Sequence, residues 1–314
     1  MNIAIDVMGG DYAPEAVIDG IIESIPLLVN DETILAIGPQ EVIQSLFKSR
    51  NFSSSQVRVI HAEQVIGMGE HPTKALSQKP NSSIGIGFSL LKEGKADVFA
   101  SAGNTGAMMV GSLFSVKTIN GIQRPAIAGF VPQVDGHYAI MLDIGANADC
   151  KPEMLAQWAE LGSIYFESTT GKLKPRVGLM NIGEEEKKGS ILAQSTHALL
   201  KKNSHINFIG NIEGKDLFRN KADVIVTDGF TGNIVLKMGE SIYNIMKEQG
   251  MMNDFVENTN YENYGGSPII GINGNVIIAH GASSPKAIKN MIKLCKSVVD
   301  SNVCQKINAA FEEK

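Results

Sequence analysis

Cysteine is scarce in this chain. Cys150, Cys295 and Cys304 are the only three in 314 residues, and an odd count without C-x-x-C spacing excludes a disulfide framework and a thiolate metal cluster while favouring a reducing cytoplasm. Charge is sparse too, at 19% of residues, and the net charge of −5 provides no basic surplus for displacing nucleic-acid counterions. No segment approaches the roughly 18 apolar residues that span a bilayer. The opening MNIAIDVMGGD has no basic stretch before a long apolar core, so it does not read as a signal peptide. Catalytic signatures are missing as well. Without G-x-G-x-x-G or G-x-x-x-x-G-K-[ST], neither a dinucleotide nor a P-loop nucleotide is indicated. G-x-S-x-G and a Cys beside a His are absent, so nothing points to an acyl-enzyme, and the lack of H-x-x-x-H removes support for a His-bound metal.

Glycine, by contrast, is plentiful. Its 32 residues are about a tenth of the chain against a usual share near 7%, which fits many tight strand-to-helix turns. Short apolar runs predict strands at Ile3–Val7, Thr33–Ile37, Val57–Val59, Val98–Ala100, Ala139–Leu142, Val177–Met180, Phe208–Ile209, Val224–Val226 and Val276–Ala279. Most are uninterrupted rather than alternating, as in strands covered on both faces. Helical patterns fill the gaps at Pro14–Leu28, Gln40–Ser49, Ser83–Lys92, Thr105–Thr118, Pro152–Phe166, Ser190–Lys202, Thr231–Gln249 and Ser284–Val299. The alternation predicts an α/β fold, a three-layer α/β/α sandwich with a mainly parallel sheet. No linker marks a boundary, so residues 1–314 read as a single domain with two lobes and a central cleft.

Twelve residues are written nearly twice. KADVFASAGNTG at 95–106 and KADVIVTDGFTG at 221–232 agree at seven positions, and each is a strand ending in a Gly-rich turn before a helix. Such turns present free N–H groups to an anion. The repeat either marks related halves or reflects βα turns of similar shape. Ligands of open α/β sheets bind at the carboxyl ends of strands, where five polar turns stand out: MGGDYAP (8–14), SAGNTGA (101–107), DIGANAD (143–149), NIGEEEKKG (181–189) and TDGFTGN (227–233). With no protein nucleophile in sight, the reaction falls to the ligands themselves. Inorganic phosphate is a nucleophile that needs only orientation and desolvation, and an acyl thioester is a fitting electrophile. Lys79, Arg124 and Lys188 are the cations nearest these turns, although each also reads as an ordinary surface charge.

Taken together, MNIAIDVMGGDYAP, SAGNTGA, GIQRPAIA, LDIGANADCKPE, NIGEEEKKGS, NFIGNIEG, ADVIVTDGFTGN, YENYGGSPIIGING and AHGASS closely resemble bacterial phosphate acyltransferases of the PlsX type, in order from Met1 to about Val299. The resemblance implies reversible transfer of a fatty acyl group from acyl carrier protein to inorganic phosphate, giving acyl phosphate for phosphatidic acid synthesis. It also implies two intertwined lobes in the manner of isocitrate and isopropylmalate dehydrogenases, a homodimer, and no cofactor. Around HPTKALSQKPNSS relatives carry more basic residues, and between Lys237 and Tyr261 they carry a longer helical excursion proposed to touch the membrane and a partner. Here that stretch is MGESIYNIMKEQGMMNDFVENTN, net acidic, with Ile242, Ile245, Met246, Met252, Phe255 and Val256 suited to dimer or core packing or to membrane contact.

The site expectations are specific. Asn104, Lys188 and Asp228 are the candidate catalytic residues, with phosphate nearer the first copy of the repeat and Asp228 orienting or handling a proton. Gly9, Gly10, Asp11, Lys79, Ser83, Ser101, Thr105, Arg124, Asn147, Asn181, Glu184, Thr231, Gly232 and Asn233 are the candidate substrate-binding residues. Lys286, Lys289, Lys293 and Lys296 share one face of a helix, a stripe that suits the acidic acyl carrier protein; the first three are assigned to that contact. His280 reads as structural or as a neighbour of the site, and Trp158 as packing. The chain is expected in the cytoplasm, with peripheral attachment at the inner membrane face and contact with a membrane glycerol-3-phosphate acyltransferase left open. An acyl-CoA-dependent phosphate transacylase and a non-catalytic acyl or phosphometabolite binding protein are the rival readings. A dehydrogenase of the related fold is disfavoured because no acidic metal cluster or nucleotide fingerprint can be read.

Overall fold

A computed structural model describes residues 1–312. The strands are β1 (Asn2–Asp6), β2 (Thr33–Gly38), β3 (Val57–His61), β4 (Val98–Ser101), β5 (Ala126–Pro132), β6 (Tyr138–Leu142), β7 (Arg176–Met180), β8 (Asn207–Ile212), β9 (Val224–Val226), β10 (Ser267–Ile270) and β11 (Asn275–Ile278). The α-helices are α1 (Glu15–Ser24), α2 (Gln40–Ser49), α3 (Pro72–Gln78), α4 (Ser83–Lys92), α5 (Thr105–Gly111), α6 (Pro152–Thr170), α7 (Ile191–Lys202), α8 (Gly229–Glu248), α9 (Asp254–Asn258), α10 (Pro285–Asp300) and α11 (Val303–Glu312). The fold is α/β with mainly parallel strands, as expected.

The chain forms two compact units. The first joins Met1–Thr118 to Tyr261–Asp300, and the second joins Ile119–Asn260 to the segment from Ser301 onward. Strands of the first run in the order β3-β2-β1-β4-β11-β10, all neighbours parallel except β10 against β11. In the second the order is β5-β6-β9-β7-β8, again parallel except β5 against β6. Read from its far end, β8-β7-β9-β6-β5 repeats the sequence of directions in β2-β1-β4-β11-β10. The two copies of the repeat are β4 and β9, each flanked by parallel strands. Every residue of both is buried, which is why they read as short apolar runs rather than alternating ones.

The acidic residue of each copy does the same job. Asp97 accepts the N–H of Asn2 at 2.6 Å, and Asp223 accepts the N–H of Arg176 at 2.8 Å, so each fixes where the neighbouring strand begins. Burial alone would raise the Asp223 carboxyl, but hydrogen bonds from Arg176 and Lys172 outweigh it and bring the pKa down to about 2. Trp158 is fully buried on α6 and donates its indole N–H to the carbonyl of Arg124 at 3.0 Å, as packing implied.

Several expectations need correction, among them the helix over Pro14–Leu28, which is α-helical only to Ser24, and α3, α9 and α11, which were not expected. β5 and β10 were not anticipated, because Gly129 and Pro132 in one and Pro268 in the other break the apolar run of an antiparallel strand. The helix expected over Thr105–Thr118 is α-helical only to Gly111; a π turn over Ser112–Val116 follows and ends at Lys117 with φ of 66°. Finally, α8 starts at Gly229 rather than Thr231, because the Asp228 side chain caps it.

Candidate active site

In the first unit the turns after β1, β4 and β11 meet. Asp11 N–H donates to the carbonyl of Gly281 at 2.7 Å. Gly9 packs so closely on the turn after β4 that a Cβ there would lie 2.6 Å from both Asp6 Oδ2 and the Gly103 nitrogen; only glycine fits. Beneath it, Ser101 donates to Asp6 Oδ2 at 2.7 Å and accepts from Gly103 N–H at 2.9 Å. Asp6 also accepts from Met8 N–H at 3.0 Å. Burial raises its carboxyl pKa, with Ser83, Ser101 and Met8 opposing. Ser83 faces this carboxyl from the first turn of α4, although its buried Oγ makes no hydrogen bond of normal geometry.

Asn104 is the N-cap of α5. Its Oδ1 accepts from Ala107 N–H at 2.9 Å, while its amide donates to the carbonyls of Gly67 (3.1 Å), Met68 (3.0 Å) and Glu70 (3.0 Å). The side chain thus joins a helix start to a loop, and the N–H groups of Thr105 and Gly106 are the ones left over. Lys79 serves the same loop. Its ammonium donates to Val65 O at 2.8 Å and Glu70 Oε1 at 2.6 Å, and the ion pair lowers the Glu70 pKa. His280 accepts Ala282 N–H on Nδ1 at 3.1 Å, with its ring against Tyr261.

In the second unit Asp143, fully buried, gathers the turn after β6. It accepts N–H groups from Ile127 (3.0 Å), Gly145 (3.3 Å), Ala146 (3.2 Å) and Asn147 (2.7 Å), plus the Asn147 amide at 3.0 Å. Burial raises its pKa and these donors oppose the rise. The Asn147 amide also donates to Pro125 O at 2.9 Å, and the Asn147 carbonyl accepts from Gly229 N–H at 2.8 Å. Gly232 crosses Asp143 so closely that a Cβ would lie 1.9 Å from the Asp143 carbonyl oxygen, and Asn233 lies beside Gly145. Asp228 accepts from the N–H and the hydroxyl of Thr231, both at 2.8 Å, so the start of α8 already carries a carboxylate.

The 181–189 turn is the other cluster of this unit. Asn181 donates to the Lys188 carbonyl at 3.1 Å and accepts from Ile182 N–H at 2.8 Å. Glu184 pairs with Lys221 at 2.8 Å, and Glu186 with Lys201. The side chains of Lys188, Asn233 and Arg124 are exposed and make no hydrogen bond or ion pair among the described residues. Asp6 and Asp143 escaped the sequence reading. Their signal is an apolar run that ends directly on Asp before a Gly turn, IAIDVMGG and IMLDIG, which reads as ordinary turn chemistry until the carboxylates prove buried.

The sequence pattern of the family described as "Fatty acid synthesis protein" matches residues 1–306. Phosphate acyltransferase of Dictyoglomus thermophilum is 43% identical, over 98% of this chain and 96% of its own length. The Bacillus subtilis phosphate acyltransferase is 40% identical, over 100% and 99%. The chain belongs to the phosphate acyltransferase family. Solved structures with the same fold include a phosphotransacetylase from Streptococcus pyogenes (TM-score 0.67, 16% identity, 97% of this chain and 94% of that one) and the EutD phosphotransacetylase of Staphylococcus aureus (0.63, 17%, 96% and 94%). In this family member Cys150 is the cysteine nearest the turns. Burial pushes its pKa up to about 11, with Asp143, Asp228 and Asp149 adding to the rise, so it stays a thiol at neutral pH and is a poor acyl acceptor. Ser101 is fully buried and out of reach of a thioester.

Proposed function

We propose that the protein transfers a fatty acyl group from acyl-[acyl carrier protein] to inorganic phosphate, forming acyl phosphate for phospholipid synthesis. The observation that carries this reading is identity near 40% along essentially the whole chain to phosphate acyltransferases. A phosphate oxygen attacks the thioester carbon, an oxyanion forms, and the carrier thiolate leaves and takes a proton. Phosphate is held in the first unit by the N–H groups of Thr105 and Gly106 and the turn of Gly9 and Gly10, while Asp11, whose N–H is taken by the Gly281 carbonyl, and Asn104, Lys79, Ser83 and Ser101 keep those turns in place. Within the second unit, Lys188 and Asn233 are the groups proposed to offer charge and hydrogen bonds to a substrate, with Asn181 holding the Lys188 carbonyl. Asp228, engaged twice by Thr231, orients the start of α8 rather than moving a proton; Asn147 and Gly232 support the same turn, and Glu184 fixes the turn of Lys188. Arg124 adds a cation that makes no ion pair among the described residues. Acyl phosphate formation from acyl-ACP, measured beside acyl-CoA, tests the reading. Phosphate-dependent turnover of the ACP thioester supports it, and turnover of the CoA thioester alone favours the transacylase alternative.

For the carrier protein we propose the Lys286, Lys289 and Lys293 face of α10. Lys296 leaves that stripe, since it donates to Leu27 O at 2.6 Å and pairs with Glu32. Replacing Lys289 and Lys293 together by Glu is expected to slow association with acyl-ACP about tenfold at low salt, with the difference shrinking as salt rises. An unchanged, salt-independent rate removes this face from the encounter.

The homodimer is proposed along α8, where Phe230, Ile234, Met238, Ile242 and Ile245 are each at least half exposed at helical spacing. Val256 and Phe255 turn inward instead, Val256 buried and Phe255 against Phe218. No helix among the described residues is long and apolar enough to cross a membrane. Sedimentation of Met238→Glu should show a monomer where the wild type shows a dimer. A monomeric wild type that pellets with anionic vesicles would assign the stripe to lipid instead.

A further inference from the structure

The loop that Asn104 holds is tethered more firmly than its own packing explains. Three carbonyls within residues 67–70 accept from one amide that is 5% exposed. Glu70 Oε1 closes the loop by accepting from Gly67 N–H at 2.6 Å and from the Lys79 ammonium. The backbone these bonds hold carries an exposed apolar side chain: Met68 keeps 47% of its surface. A side chain left half exposed recovers only part of the burial open to it, so the tethers set where Met68 stands rather than complete a core. That position lies over the meeting point of two turns. Met68 Cε is 3.0 Å from where a Cβ on Gly281 would sit, and the Asp11 carboxylate oxygens are 3.5 and 3.6 Å from the same point. Beside it in sequence, Tyr12 is exposed as well.

We infer that Met68 is the surface on which the acyl chain of the donor packs, and therefore a residue that sets preference for long over short chains. The inference rests on the acyl-transfer reading above and adds a substrate contact to it. A methylene chain leaving the polar turns needs an apolar neighbour, and an unbranched thioether moulds to one without a fixed shape. Asn104 acts through the loop and is a positioning residue here.

The test compares palmitoyl-ACP with acetyl-ACP, which lacks the chain, on wild type, Met68→Ser and Met68→Leu. In Met68→Ser the ratio of kcat/KM for palmitoyl over acetyl is expected to fall about tenfold, the size of one lost apolar contact, with the KM for phosphate within about twofold of wild type. Met68→Leu should restore most of the ratio. An equal loss with both donors, or no change with either, overturns the inference, because a loop that merely supports the turns does not discriminate chain length. A wild-type protein inactive with both donors would instead overturn the acyl-transfer reading.

Discussion

Lys188→Ala is expected to lower kcat/KM for acyl phosphate formation by about two to three orders of magnitude, the loss that follows removal of a group stabilising developing charge in a desolvated site, with the melting temperature unchanged. Stability should hold because the ammonium is exposed and makes no ion pair among the described residues. Two carboxylates of its turn are paired elsewhere, Glu184 with Lys221 and Glu186 with Lys201, which is why we propose that the Lys188 charge serves a ligand. Its direction is also fixed. The stem packs on Gly183, where a Cβ would lie 2.9 Å from Lys188 Cγ, and Asn181 grips its carbonyl. Lys187 has neither restraint, and Lys187→Ala is the control, expected to stay within about twofold of wild type. Equal behaviour of the two variants would remove Lys188 from the mechanism.

Asp143→Ala is expected to produce the largest stability loss, about 3–5 kcal/mol, by leaving buried donors without an acceptor. Four backbone N–H groups and the Asn147 amide converge on this carboxylate. Asp143→Asn should recover little of the loss, since half of the new amide would turn N–H toward N–H. The turn over 144–147 would loosen, and with it the contact of Asn147 with Gly229 that seats α8. Urea unfolding reads the effect as a lower midpoint at unchanged m-value. A midpoint equal to wild type would mean that the turn holds without its buried charge.

Much of this architecture was legible in the sequence. β1, β4, β6, β7, β9 and β11 are covered on both faces, and such strands announce themselves as unbroken apolar runs. The bounds of α2 and α4 match those read from periodicity, and α4 also has a cap, Ser82 accepting Gly85 N–H at 3.1 Å. The antiparallel β5 and β10 were hidden by proline and glycine. As sequence the repeat reads as a site, and half of it proves to be scaffold: Asp97 and Asp223 set strand starts, and Lys221 pairs with Glu184 and Asp216. Its turns nevertheless sit at the carboxyl ends of central strands, where the α/β rule places ligands. Side-chain engagement was not legible. Periodicity puts Lys296 on the face of Lys289 and Lys293, but a long flexible stem carries its ammonium to Glu32. Likewise, nothing in SAGNTG shows that the Asn104 amide is occupied by a loop more than thirty residues earlier in the chain.

The central claim is that phosphate itself attacks the thioester, without an acyl-enzyme. Initial rates of acyl phosphate formation, measured with purified protein over a grid of palmitoyl-ACP and phosphate concentrations, test it most directly. The account predicts rates that depend on both substrates, intersecting double-reciprocal lines, and no acylated protein when palmitoyl-ACP is present without phosphate. Parallel lines with an acyl adduct on the protein, or thioester consumption indifferent to phosphate, would contradict it.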